Sequence, residues 1–272
     1  MFLLQAFLKE KAVDGLIPWQ QQQAAAEKFQ LTVSEMETVI LQAGLLPARY
    51  QRNQQMISTA QQLQLFQSKV AVVGCGGLGG YILEELARLG VGQIVAIDPD
   101  VFEEHNLNRQ LLSTIKLLGT AKTDAAVQRL AEINPAVKVS PVKASFGKEN
   151  GRDMLGEVDL VVDAVDNIPT RLDLVEICRQ MNIPLVHGAI AGWYGQVVTV
   201  YPGDDTLQKL YANWSGGKGI EAKLGNPSFT PAVAASLQVA EACKVLLGQG
   251  RSLRKRMLSV NLLNMEFDEI PL

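Results

Sequence analysis

Three cysteines in 272 residues, Cys75, Cys178 and Cys243, stand far apart with no CxxC pair among them. That spacing suggests neither a disulfide framework nor a thiolate zinc site. Histidine is scarcer still, His105 and His187 alone, and no Ser/His/Asp or Cys/His set for nucleophilic catalysis stands out. No apolar run is long enough to span a bilayer, and the first eight residues lack a cationic leader, so a soluble, cytoplasmic protein is expected. The net charge of −3 provides no excess of cations for a nucleic-acid surface.

What the chain does contain is concentrated in residues 70–100, VAVVGCGGLGGYILEELARLGVGQIVAIDPD. A β-branched run ends in Gly74, Gly76 and Gly79, the G-x-G-x-x-G spacing of a strand-to-helix turn. Such glycines permit the turn, let backbone approach a phosphate and let the helix pack on the sheet, while the helix N-terminus offers free amides to the anion. Asp98 closes the next strand, where an acid accepts hydrogen bonds from ribose. This predicts nucleotide binding and leaves open whether the nucleotide is oxidised or cleaved.

Composition changes near residue 48. Before it lie two helical patterns, residues 19–29 and 32–43, the second opened by TVSE and ended by Gly44 and Pro47. With few basic residues there, a small helical appendage over residues 1–47 is expected in preference to a DNA-reading helix-turn-helix. From residue 48 to 272 strands and helices alternate. This predicts an α/β, Rossmann-like, doubly wound and mainly parallel sheet, with antiparallel strands added at the C-terminal side. A linking helix at 58–66 leads into the first strand; further helices are expected at 81–89, 121–133 and 170–181. Strands are expected at 93–97, 137–142, 160–164, 185–188, 196–201, 257–261 and 265–270.

After Asp98 the chain reads DPDVFEEHNLNRQ, followed by GTAKTDAA and VVDAVDN. Arg109, Lys122 and Asp166 therefore fall near strand ends or the loops after them. Two cations and an acid in those places suit a triphosphate with its metal: the cations neutralise phosphoryl oxygens and the carboxylate holds magnesium.

Together, RYQRN at 49–53, GCGGLGG, DPDVFEEHNLNRQ, GTAKTDAA, INP at 133–135, DAVDNIPTR and PLVHGAIAGWYGQ resemble the HesA/MoeB/ThiF family, bacterial relatives of ubiquitin-activating enzymes. The similarity runs from residue 48 to the C-terminus. It implies an adenylyltransferase using ATP and magnesium, on which the C-terminal glycine carboxylate of a small ubiquitin-like sulfur carrier ending in Gly-Gly attacks the α-phosphate. The products are an acyl-adenylate and pyrophosphate, for molybdopterin or tungstopterin, thiamine or related sulfur-transfer biosynthesis. By position, the resemblance implies Asp98 on ribose, Arg109 and Lys122 on phosphates and Asp166 on magnesium. Asn106 and Gln110 would lie beside the phosphate tail, with Gly74, Gly76, Gly77, Gly79, Asp100 and Asn167 around the nucleotide. Arg52 would reach into the partner subunit's site, which makes a homodimer the expected state.

Many members of this family hold zinc through two CxxC pairs, and some carry a cysteine for covalent sulfur transfer. The segment 202–231 has no cysteine, so no zinc and no covalent sulfur transfer are expected, and the stretch 215–219 is expected to be a mobile cover. The three cysteines are expected to pack as buried hydrophobes and His187 to be structural. Two other functions stay open: an enzyme resembling tRNA threonylcarbamoyladenosine dehydratases, and a non-catalytic nucleotide-binding scaffold. The retained set Arg52, Arg109, Lys122 and Asp166 weighs against the scaffold.

Overall fold

A computed structural model describes residues 2–212, 216 and 224–272; apart from Gly216, the expected cover at 215–219 lies outside the described residues. The chain begins with α1 (Phe2–Lys11), β1 (Leu16–Ile17), α2 (Trp19–Phe29) and α3 (Val33–Gln42), then β2 (Leu46–Pro47), which pairs in parallel with β1. Thr32 opens α3 with a reciprocal capping box to Glu35, as TVSE predicts. The helix α1 and the two short strands are additions to the sequence-level picture. Leu4, Leu8, Ile17, Ala25, Met36 and Ile40 form a small separate core here.

A 3-10 turn (Ala48–Asn53) and α4 (Thr59–Gln67) lead into β3 (Lys69–Val73), α5 (Gly77–Leu89), β4 (Gln93–Ile97), α6 (Lys122–Ile133) and β5 (Lys138–Val142). There follow α7 (Gly151–Leu155), β6 (Leu160–Asp163), α8 (Ile168–Met181), β7 (Leu185–Ala191), β8 (Tyr194–Val200) and α9 (Thr206–Leu210). The long helix α10 (Phe229–Leu247) and the hairpin β9 (Arg256–Asn261) and β10 (Glu266–Pro271) close the chain. The sheet order is β10-β9-β8-β7-β6-β3-β4-β5, parallel from β7 to β5 and antiparallel from β7 to β10. The expected architecture is therefore present, with Pro141 tolerated in β5 because that strand is an edge.

Alternation along β3 explains the two layers. Val70 and Val72 face a core shared with Leu83, Leu86, Leu130 and Val239 of α5, α6 and α10, while Ala71 and Val73 face one shared with Leu174 and Cys178 of α8. Chain direction around the sheet reverses at β3, whose neighbours are β4 on one side and β6 on the other, and the crevice outside these strand ends is where open α/β sheets bind ligands.

Helix α5 starts at Gly77, four residues before the apolar periodicity signals it. Its first turn carries Gly77, Gly79 and Gly80, poor helix formers in isolation, and at Gly79 contact with the end of β3 leaves no room for a side chain. A Cβ at Gly79 would lie 1.8 Å from the Gly74 carbonyl oxygen, and one at Gly74 (φ +97°) would lie 2.5 Å from the Ala164 carbonyl oxygen. Backbone of β3, α5 and β6 is thereby brought together at one point.

Candidate active site

At the β3–β6 switch point lies a cleft of about 440 Å³, lined by Gly74, Gly76 and Gly77 after β3 and by Ala164, Val165, Asp166 and Asn167 after β6. Asp98, Asp100, Arg109, Gln110 and Lys122 complete its polar wall. Thus ten of the thirteen residues singled out from the sequence share one cavity. Gly79 acts sterically behind it. Asn106 is buried, and its side-chain oxygen accepts from the Glu103 amide at 3.0 Å, so it shapes the loop without lining the cleft. Arg52 is exposed on the 3-10 turn, also outside this lining.

Lys122 enters at the first position of α6 and is buried, with Nζ 2.9 Å from Asp100 and 3.9 Å from Asp98. Asp98 accepts from the Cys75 amide at 2.7 Å and the Asp100 amide at 2.8 Å, which ties the glycine turn to the end of β4. Burial raises the Asp98 carboxyl above its ordinary value, against the opposing pull of Lys122 and the two amides. Arg109 is half-buried, held by the His105 carbonyl at 3.0 Å and Asn108 at 2.8 Å. Two cations therefore stand over a turn whose amides and missing side chains already suit an anion.

The segment after β6 is supported from below. Asp163, the last residue of β6, and His187 of β7 are fully buried, and Arg171 of α8 is nearly so. Arg171 donates to Asp163 at 2.9 Å, to the Tyr211 hydroxyl at 2.9 Å and to the Val165 carbonyl at 2.7 Å; Asp163 also accepts from the Val165 amide at 3.0 Å. Both backbone groups of Val165, one residue before Asp166, are thus pinned. His187 Nδ1 lies 2.7 Å from Asp163, so it carries the proton, and Nε2 is left as acceptor toward Tyr211 and Gln196, each at 3.3 Å. Sequence reasoning missed this network apart from the structural role of His187; the DAVDNIPTR motif contained its two charges without showing that they pair. Asn167 caps α8 through the Thr170 amide at 3.0 Å.

These charges make stability pH-dependent. Burial alone would raise the Asp163 carboxyl, but Arg171 and His187 outweigh it and hold it below its ordinary value; burial and Arg171 push the His187 imidazole down. A depressed carboxyl stabilises above its ordinary value and loses that contribution as pH falls through its folded one. A depressed imidazole, neutral when folded, costs stability once pH falls below about 6.5, where the unfolded chain takes up the proton. Both act in the same direction, and His187 sets the upper edge of the window. Denaturant titrations should show lower stability at about pH 5.5 than at about pH 7.5, a difference that His187→Gln should shrink; no difference in the parent would contradict this account.

Gln110 and Asn226 each present a buried amide oxygen without a partner, and both line the cleft, where a ligand bearing hydroxyl or amine donors would satisfy them. Asn226 carried no signal in the sequence. Among the described residues no three His, Cys, Asp or Glu side chains converge as a metal cluster. Cys75 and Cys178 are buried and Cys243 half-buried; burial pushes the Cys178 and Cys243 thiols up to about 12 and about 11, and Cys75 higher than its ordinary value as well. All three are thiols at neutral pH. No helix of the described residues is long and apolar enough to cross a membrane.

A model of the ThiF family matches residues 50–272. The chain is 39% identical over 212 residues to a Haloferax volcanii protein named SAMP-activating enzyme E1, covering 77% of this chain and 78% of that one. It is 36% identical over 219 residues to the sulfur carrier protein adenylyltransferase of Thermus thermophilus, covering 77% and 80%. With the molybdopterin-synthase adenylyltransferase of Escherichia coli it shares 32% over 215 residues, covering 78% and 86%. Among solved structures, Escherichia coli MccB with ATP superposes with a TM-score of 0.67 at 21% identity over 92% of this chain and 82% of that one, a likeness of fold. With the glycine turn, the paired cations and the Asp166 wall in one cleft, this chain belongs to the ThiF family.

Proposed function

We propose that this protein is an adenylyltransferase that activates the C-terminal glycine of a small ubiquitin-like sulfur carrier with ATP. The observation that carries this reading is the meeting of the glycine turn, Arg109, Lys122 and Asp166 around one cavity. A hydride-transfer enzyme needs the turn and Asp98 but has no use for two cations and a further acid lining the same cleft. The names of the relatives, a SAMP-activating enzyme, a sulfur carrier protein adenylyltransferase and a molybdopterin-synthase adenylyltransferase, support the same chemistry.

ATP would lie with ribose at Asp98 and phosphates along the amides of Gly76 and Gly77. The unpaired oxygens of Gln110 and Asn226 offer acceptors to its hydroxyl or amine groups. The carrier's carboxylate oxygen then bonds to the α-phosphorus as the bond from that phosphorus to the α,β-bridging oxygen breaks, and pyrophosphate leaves. Two anions must meet, so the barrier is one of charge and alignment. Lys122 has three donors to share between Asp100 and phosphate oxygen, and Arg109 adds a second positive charge. No general base is needed, since an α-carboxyl with a pKa of about 3.5 is already ionised. Magnesium, when bound, would screen the triphosphate, and Asp166 would be the carboxylate that holds it, since the ion is usually held by one or two carboxylates plus phosphates.

On this reading residues 48–272 are the adenylation domain and residues 1–47 an appendage. The protein works as a homodimer in which Arg52 serves the partner's cleft, and three unpaired thiols suit a reducing, cytoplasmic setting. On this reading sulfur transfer is left to other proteins: Cys75 and Cys178 are buried and Cys243 is half-buried, so none is presented to a carrier. The test is ATP–pyrophosphate exchange with a ubiquitin-like protein ending in Gly-Gly from the same genome. Exchange that requires both the carrier and its terminal glycine is expected; exchange driven instead by tRNA would replace this reading with the dehydratase-like one.

A further inference from the structure

The turn that carries Arg52 is anchored by polar side chains that the chemistry above does not use. Gln22, Glu37, Tyr50 and Gln62 are fully buried and Asn134 nearly so, and they join the N-terminal helices, the turn and the adenylation fold. One oxygen of Glu37 on α3 accepts from Gln22 at 2.8 Å and from Arg49; the other accepts from the Tyr50 hydroxyl at 2.5 Å. Arg49 also donates to Gln22 at 2.8 Å and lies over the Trp19 ring. Asn134, at the end of α6, donates to the Tyr50 hydroxyl at 2.8 Å and to the Ala87 carbonyl at 2.9 Å. Gln62 donates to the Leu89 carbonyl at 2.7 Å. The Tyr50 ring fills the space a side chain at Gly90 would need, for a Cβ there would lie 2.6 Å from the ring.

A fully buried carboxylate is retained against its desolvation cost only when its oxygens are all satisfied. Here two of the three residues that satisfy them, Arg49 and Tyr50, fix the start of the turn, and the third is Gln22 of α2. Arg52, two places further on, is exposed and belongs to no part of its own cleft. A guanidinium that acts on a neighbouring site gains most from a backbone set in advance, because ordering it then costs little at the moment of reaction.

We propose that the N-terminal helical unit is a positioning device for Arg52, with Glu37 as the positioning residue. It locks Arg49 and Tyr50 and so aims Arg52 across the dimer before nucleotide binds. This rests on the reading of Arg52 as a residue that acts in the partner's cleft.

The test is complementation between full-length protomers, read by carrier-dependent pyrophosphate exchange. Glu37→Ala alone should lose tenfold or more of its exchange, and Asp166→Ala alone nearly all of it. Once subunits are mixed and re-equilibrated, half the dimers hold one of each, and each such dimer has one cleft with its own Asp166 and an intact Arg52 from the partner. Exchange should recover to about a quarter of the parent value, as the statistics of a symmetric dimer require. Arg52→Ala mixed with Asp166→Ala is the control and should recover equally. Recovery in the control without recovery for Glu37→Ala would overturn the positioning role, as would parent-level exchange by Glu37→Ala alone. No recovery in the control would overturn the assignment of Arg52 itself, and the proposal with it. Should Glu37→Ala fail to fold, Tyr50→Phe, which removes one hydroxyl and keeps the ring against Gly90, takes its place in the same pairing with a several-fold loss to be recovered.

Discussion

Asp166→Ala is expected to lower carrier-dependent pyrophosphate exchange by about a hundredfold to a thousandfold, the loss that follows removal of one preorganised electrostatic group such as an oxyanion-hole donor. The fold should survive intact. Asp166 is exposed, and its side chain makes a hydrogen bond of 3.3 Å to its neighbour Asn167, so thermal unfolding should match the parent. The loss should appear as a weakened response to magnesium in a titration at fixed ATP, because the carboxylate's task is to hold the ion. Arg109→Ala should give a loss of similar size without the altered magnesium response. Normal exchange by both variants with the true carrier present would remove these residues from the chemistry.

Asp163→Ala, three residues away, should fail in the opposite way. Its carboxylate is fully buried and is shared by Arg171 and His187. Removing it leaves the Arg171 guanidinium buried without a counter-charge, a lesion that costs about 3–5 kcal/mol. For a chain of this length that lowers the thermal midpoint by about 10 °C. Both ties to Val165 also weaken, so exchange falls as well, through the displaced Asp166 loop. Adding Arg171→Met should restore much of the stability, since the uncompensated charge has gone, and little of the exchange, since the Val165 carbonyl still lacks its donor. Wild-type stability in Asp163→Ala would show that the buried pair is not what secures this wall.

The contrast between the two aspartates marks how far the sequence could be read. That Asp166 lines the cleft was legible because it follows a strand end, as the glycine turn follows β3 and Asp98 follows β4. The strands were legible too: apolar runs such as VAVV and QIVAI, bounded by glycine and proline, carry their own boundaries. Asp163 was not legible. Its partners Arg171 and His187 lie on α8 and β7, and only the parallel pairing of β6 with β7, which sets Asp163 beside His187, brings them together. Asn106 shows the converse: proximity in sequence to Arg109 and Gln110 suggested a shared task, yet its side chain closes a loop. The Glu37–Arg49–Tyr50 network could not be foreseen either, because a glutamate within a helical repeat is ordinarily a solvated residue, and its burial follows from the docking of α3 on the turn. Early glycines hid the true start of α5, since their poor helix propensity is overridden by the close contact of Gly74, Gly79 and Ala164.

The central claim, that this cleft joins a carrier's terminal carboxylate to AMP, is tested most directly by the intact mass of the carrier. The carrier should be incubated with the protein, ATP and magnesium, and the mixture quenched with acid. A carrier heavier by one adenylyl group is expected, formed with one pyrophosphate each, absent when the terminal glycine is deleted and absent with Asp166→Ala. A carrier of unchanged mass, with ATP intact or cleaved only to ADP and phosphate, would contradict it.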